Sequence, residues 1–278
     1  KLLIDFANNA AKKNEFTVAE KAYKTILDYG EQNPRYRTAH EGILQMQVQQ
    51  IENNPTVTKA EIDNCAKGFE TYLEQFPAGF GSPLVQQYAY LEAQHNNNVS
   101  KAIALLQKAI SLQMGNKFFI GNCKLQLGDY YIISGDVWEA ALAYAQVDKG
   151  FREDALGEEA RFRNAKLSYY QNDFEQAQGQ LSVLKASTSE LIANDALFLS
   201  VQITENIPKD SNMVPLERFA AAELLLFQNK DKEAESLLDS IAQAFPKNAL
   251  ADDILLQRSK IASKHKDYNK AIDYLKKI

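Results

Sequence analysis

Helix breakers are scarce in this chain: 12 glycines and 7 prolines in 278 residues. Such scarcity beside abundant Ala, Leu, Gln, Glu and Lys favours helix over turn-rich architectures. Cysteine is scarcer still. Cys65 and Cys123 lie in separate helical patterns among apolar neighbours, so they read as small core residues and no disulfide framework follows. No run of 18 apolar residues exists, which excludes a membrane-spanning helix. Positive charge is in deficit, with 31 Lys and Arg against 36 Asp and Glu, a net of −5. Nucleic-acid binders show a basic domain or stripe, so this balance argues against one. A signal peptide is missing as well, but so is an initiating methionine: Lys1 and Ile278 both fall inside helical patterns. The sequence therefore reads as part of a longer or processed chain, and its compartment stays open.

What is present is ordinary for a folded protein: 45% hydrophobic and 24% charged residues. One stretch departs from the acidic balance. From Gln257 to Ile278, seven Lys and Arg stand against Asp267 and Asp273. A solvated helix face explains this, and a contact with an acidic partner is the functional alternative.

Helical periodicity runs almost throughout, interrupted by short polar turns. A skeleton recurs: a small residue, then a large apolar one four residues later. The pairs are Ala19 with Tyr23, Cys65 with Phe69, Ala102 with Leu106, Ala140 with Tyr144, Ala177 with Leu181, Ala234 with Leu238 and Ala271 with Leu275. The spacings are 46, 37, 38, 37, 57 and 37 residues. A small side chain lets two helices touch, and the larger one fills the gap one turn on. The turns share a composition, as in Lys13-Asn14-Glu15-Phe16, Gly135-Asp136-Val137, Asn172-Asp173-Phe174, Asn229-Lys230-Asp231 and Lys266-Asp267-Tyr268. Asn, Asp and Gly there predict a left-handed residue at a helix end, followed by a cap for the next helix.

This pattern resembles the tetratricopeptide repeat, whose signature is W-x2-L-G-x2-Y…A-x3-F…P over 34 residues. The unit from Asn122 to Lys149 matches at Leu127, Gly128, Tyr131, Ala140 and Tyr144, with Lys124 where the family prefers Trp. The first unit matches at Ala7, Ala10, Phe16, Ala19 and Tyr23. The resemblance covers most of the chain. It implies an all-α, right-handed α-solenoid superhelix of antiparallel helix hairpins, because such hairpins cannot bury their apolar faces alone. Phe76-Pro77 and Phe245-Pro246, each followed by a new helix, are similar to helix ends in repeats of bacterial cell-envelope proteins. That likeness leans the location towards a bacterial periplasm or outer membrane, with the cytoplasm open.

Two steps are irregular. The 46-residue step holds a polar loop at Glu52–Thr58. The 57-residue step has room for an extra helix, Glu190 to Glu205, then a loop at Ile207-Pro208-Lys209-Asp210-Ser211-Asn212. Its residues Leu191 to Leu197 echo Leu250 to Leu255, so both look like first helices of a unit. An odd helix would reverse which face points inward, so a bend or boundary is expected near 206–213. The expected domains are an array of about five hairpins over 1–206 and further units over 207–278, truncated at the end and continuing the same solenoid.

Chemistry-bearing constellations are few. His40, His95 and His265 lie at no ligand spacing, so neither metal nor cofactor is expected. Gly79-Phe80-Gly81-Ser82-Pro83 lacks a dinucleotide fingerprint and reads as a flexible link. The pairs Glu158-Glu159 and Asp252-Asp253 suit helix N-termini, and nothing in the sequence marks either as desolvated for acid–base work.

In the family, first helices line a concave groove. The resemblance therefore implies a partner-binding groove of Asn122, Leu125, Asp129, Phe162, Lys166, Tyr169, Phe219 and Glu223. One subtype clamps acidic peptide tails with Lys, Arg and Asn at such positions. Only Lys166 fits here, which points to a mixed or apolar ligand. The expected function is a non-enzymatic scaffold for a protein or peptide partner. The alternative is a regulatory region of a larger protein whose enzyme or membrane anchor lies outside this sequence. The sequence does not set the oligomeric state.

Overall fold

A computed structural model of the chain describes residues 2–112, 116–187, 189–207, 212–246 and 249–278. Among the described residues there are helices and no strands, and the chain divides into two compact units, Lys1–Tyr130 and Tyr131–Ile278. The fold is all-α and of the helical-repeat, α-solenoid class.

Unit 1 holds α1 (Leu2–Lys12), α2 (Phe16–Leu27), α3 (Tyr36–Asn53), α4 (Lys59–Gln75), α5 (Pro83–Tyr90), α6 (Val99–Ser111) and most of α7 (Lys117–Ser134). Unit 2 begins with the end of α7. It continues with α8 (Val137–Gly150), α9 (Ala155–Tyr170), α10 (Phe174–Leu184), α11 (Glu190–Glu205), α12 (Val214–Phe227), α13 (Asp231–Ala244), α14 (Ala251–Lys264) and α15 (Tyr268–Leu275). Neighbouring helices pack as antiparallel pairs, among them α1 with α2, α9 with α10, α12 with α13 and α14 with α15.

The expected turn is observed, with two corrections: among the described residues no Asp takes the left-handed position, and in the last turn Lys266 takes it. Asn14, Asn97, Gly135, Asn172, Asn229 and Lys266 all adopt positive φ, between 53° and 91°. In five of these turns the next residue's N–H reaches back to the carbonyl five residues earlier, as in Asp173 to Ser168 at 2.9 Å and Asp267 to Ala262 at 2.9 Å. This closure satisfies carbonyls that a helix end leaves without partners. Asp173 and Asp267 then cap the following helices through the N–H groups of Gln176 and Lys270.

All seven small anchors are buried, from 0 to 4% exposed. Six of their companions are buried too; Leu275 is 50% exposed, because no described helix packs over that side of α15. Cys65 and Cys123 sit in the core as expected, and burial pushes both thiols up to about 12. Of the loop expected over Glu52–Thr58, Glu52 and Asn53 still belong to α3, and the remainder ends in a reciprocal cap. Glu61 N–H donates to Thr58 Oγ1 at 3.3 Å and Thr58 N–H to Glu61 Oε2 at 2.7 Å.

The glycine-rich stretch corrects an expectation. Pro77–Gly81 is a 3₁₀ turn rather than a flexible link: Phe80 is 6% exposed, and a Cβ on Gly79 would meet the Leu73 and Tyr72 side chains within 3 Å.

The extra helix expected over Glu190 to Glu205 is α11. Ser187 Oγ donates to Glu158 near the start of α9, while Gln202 Nε2 donates to Tyr169 near its end, so α11 runs in the sense of α9. α12 does so too, since its C-terminal half meets the end of α9 at Tyr169–Glu223 and Tyr170–Phe227. Of the expected 207–212 loop, residues 208–211 lie outside the described residues. Compactness divides the chain at Tyr130/Tyr131, and a division at 206/207 remains a proposal about repeat register.

Candidate partner-binding face

The eight groove residues fall in two units. In unit 1, Asn122 is exposed, and its amide donates to the Phe118 carbonyl at 2.9 Å. Leu125 is 3% exposed and belongs to the core, while Asp129 is half-buried.

Unit 2 brings its five together around α9 and α12. Tyr169 and Phe219 are fully buried, so they shape the face from beneath. Phe162 is half-buried against the same core, and the Lys166 ammonium lies 5.7 Å from the centre of the Tyr170 ring. Glu223 is half-buried and collects hydrogen bonds from three helices. Tyr169 O–H donates to Oε2 at 2.7 Å, Gln202 Nε2 to Oε2 at 3.2 Å and Gln257 Nε2 to Oε1 at 2.6 Å. Gln202 also donates to the Tyr169 oxygen at 3.1 Å. The network ties α9, α11, α12 and α14 to one carboxylate.

Burial and the charge of Glu223 hold the Tyr169 phenol well above its ordinary range. Asp253, in the first turn of α14, has its carboxyl raised, first by burial and then by the charge of Glu223. Asn206 bonds Asp253 and partly offsets this, while Asp252 and Glu205 add to the repulsion. Asn206 donates to the Gln202 carbonyl at 2.8 Å, but its Oδ1 is buried without a hydrogen-bond partner.

Sequence reasoning missed Gln202, Asn206, Asp253 and Gln257. A faint signal existed for Gln257, which shares the buried phase of Ile254 and Ile261 on α14. A glutamine at a core position needs a partner and so marks a polar network. The pair Asp252-Asp253 does open a helix as expected, yet its second member is desolvated, which local sequence did not reveal.

The arrangement does two things. It keys the stacking of four helices, because the Gln202 and Gln257 amides find their acceptors only in this arrangement. It also gathers negative charge from Glu223, Asp253, Asp252 and Glu205 beside the aliphatic and aromatic parts of α9 and α12. Among the described residues no group of His, Cys, Asp and Glu is placed to hold a metal ion, and no helix is long and apolar enough to cross a membrane.

No protein-family model matches the sequence, and no curated protein matches it. Solved structures do. A tetratricopeptide repeat protein from Parabacteroides merdae superposes with a TM-score of 0.53 at 12% identity, over 99% of this chain and 90% of that one. The C-terminal part of a TPR repeat-containing protein from Cytophaga hutchinsonii gives 0.49 at 15% identity, over 98% and 93%. The hairpins, their left-handed turns and the first of these superpositions agree: the chain has the tetratricopeptide-repeat fold.

Proposed function

We propose that the protein is a non-enzymatic scaffold that holds a peptide or protein segment on the first-helix face of unit 2. The carrying observation is the Glu223 network, which fixes four helices from beneath and leaves Phe162, Lys166 and Glu223 half-buried at the surface. Rigid support under a mixed apolar and charged surface lowers the ordering cost of binding. The excess of carboxylates favours a ligand segment with basic or amide side chains beside an apolar residue. The chain's alternative role, as the interaction region of a larger regulatory protein, uses the same face. A bacterial cell-envelope setting rests on the Phe76-Pro77 and Phe245-Pro246 helix ends alone, and fractionation of native cells tests it.

The binding test is photocrosslinking in native extract from a photoreactive residue at position 159, one turn from Phe162 on α9. The double substitution Phe162→Ala/Lys166→Ala is expected to abolish the dominant protein adduct, while Gln176→Ala, on α10, retains it. Adducts indifferent to the double substitution, or turnover of a small molecule by the purified chain, would overturn the proposal.

A further inference from the structure

Among the described residues, α11 is the one first helix that no antiparallel mate follows. Its buried positions Ile192, Ala196, Leu199 and Ile203 match Leu250, Ile254, Gln257 and Ile261 of α14, so the two helices sit in the core with the same phase. They differ on the side that faces a mate. On α14, Ser259 and Ala262 are 4% and 5% exposed, and α15 packs on that helix. The matching residues of α11 are Val201, 40% exposed, and Thr204, which is exposed at the edge where its hydroxyl accepts from Gln178 of α10 at 2.9 Å. Leu191, Leu197 and Phe198 extend this open face, at 77%, 50% and 56% exposure.

Other first helices bury a small residue at the same place. Seven residues before the left-handed turn residue stand Ala7, Ala165, Ala222 and Ser259. In α5 the following π-helical turn adds a residue, and Ala89 stands eight before Asn97. All are 4% exposed or less. The open face of α11 thus has the position of a helix-covered face without its cover. α11 also carries Glu190, Asp195 and Glu205 but no Lys or Arg.

We infer that this face receives, in trans, an amphipathic helix of a partner protein, with a small residue at the crossing and Lys or Arg along its flanks. A helix fits because helices cover the corresponding faces elsewhere in the chain. A small crossing residue is required because Val201 replaces the usual Ala or Ser and widens the helix separation. Basic flanks complement the acidic α11, whereas a second α11 would set like charges opposite one another. The inference does not depend on the α9–α12 face.

The probe is a labelled synthetic peptide with the sequence Asp267–Ile278, which has its own N-cap, the small Ala271 and the basic Lys270, Lys276 and Lys277. Titration with the full chain, followed by fluorescence anisotropy, is expected to saturate. Phe198→Asp or Val201→Glu in the chain, and Ala271→Glu in the peptide, should each weaken binding by roughly ten-fold or more. The unfolding midpoint of the chain should move little, and least for Phe198→Asp, because Phe198 is 56% and Val201 40% exposed. Absent saturation, or affinity indifferent to both chain substitutions, overturns the inference. Self-association of the chain that Val201→Glu abolishes also overturns it and assigns the face to a second copy.

Discussion

Replacing Tyr169 by Phe removes one oxygen from the centre of the unit 2 network and leaves the ring in place. Tyr169 is fully buried, so water cannot substitute for the lost hydroxyl. Its O–H donates to a carboxylate at 2.7 Å, a charge-assisted bond worth roughly 1.5–3 kcal/mol. Glu223→Gln is the complementary change. It keeps one acceptor oxygen but turns an NH2 either towards Gln257 or towards Tyr169 and Gln202, so at least one donor loses its partner, at roughly 1–3 kcal/mol. If the two residues act as a pair, the double variant loses less than the sum, with a coupling of roughly 1–2 kcal/mol. Urea unfolding at neutral pH of the four proteins measures this. Asp253 supplies an independent readout. Its folded-state pKa is raised, so its ionisation opposes folding at neutral pH, and this cost is relieved as pH falls through the raised value towards the ordinary one. Glu223→Gln removes a repulsive charge but not the burial, so the Asp253 pKa measured by NMR should fall part of the way back. Additive losses in the cycle, with an unmoved Asp253, would refute the account of Glu223 as the shared acceptor.

Lys266 holds a left-handed backbone without the tolerance of Asn or Gly, at φ 61°. The strain of about 1–2 kcal/mol exceeds the roughly 0.5–1 kcal/mol that glycine costs through unfolded-state entropy, so Lys266→Gly should stabilise the α14–α15 hairpin by about 0.5–1 kcal/mol. Hydrogen exchange of that hairpin's amides should slow accordingly; faster exchange contradicts the reading. Cys65 and Cys123 are buried, with thiols pushed up to about 12, so neither should react with a thiol reagent at pH 8 until the chain unfolds. Rapid labelling of the native protein would show that their helices open readily.

The repeat was legible because its rules are local. Asn14, Gly135, Asn172 and Asn229 mark left-handed helix ends through backbone sterics alone, and Asp173 and Asp267 cap within three residues. The anchors from Ala19 to Ala271 needed only a period and a size, and all are buried. The groove assignment was less complete. Position within a first helix was readable, but Leu125, Tyr169 and Phe219 turned out to lie beneath the surface rather than on it. Depth depends on neighbours that sequence spacing does not supply.

By itself the sequence determined the hairpins, their turns and the extent of α11 from Glu190 to Glu205, since nearest neighbours along the chain set helix, cap and period. Tertiary structure alone decided that Glu223 would gather Tyr169, Gln202 and Gln257, that Asp253 would be desolvated beside it, and that one side of α11 would stay open. These are sums over contacts between helices tens of residues apart, and burial, unlike helix propensity, has no local signature.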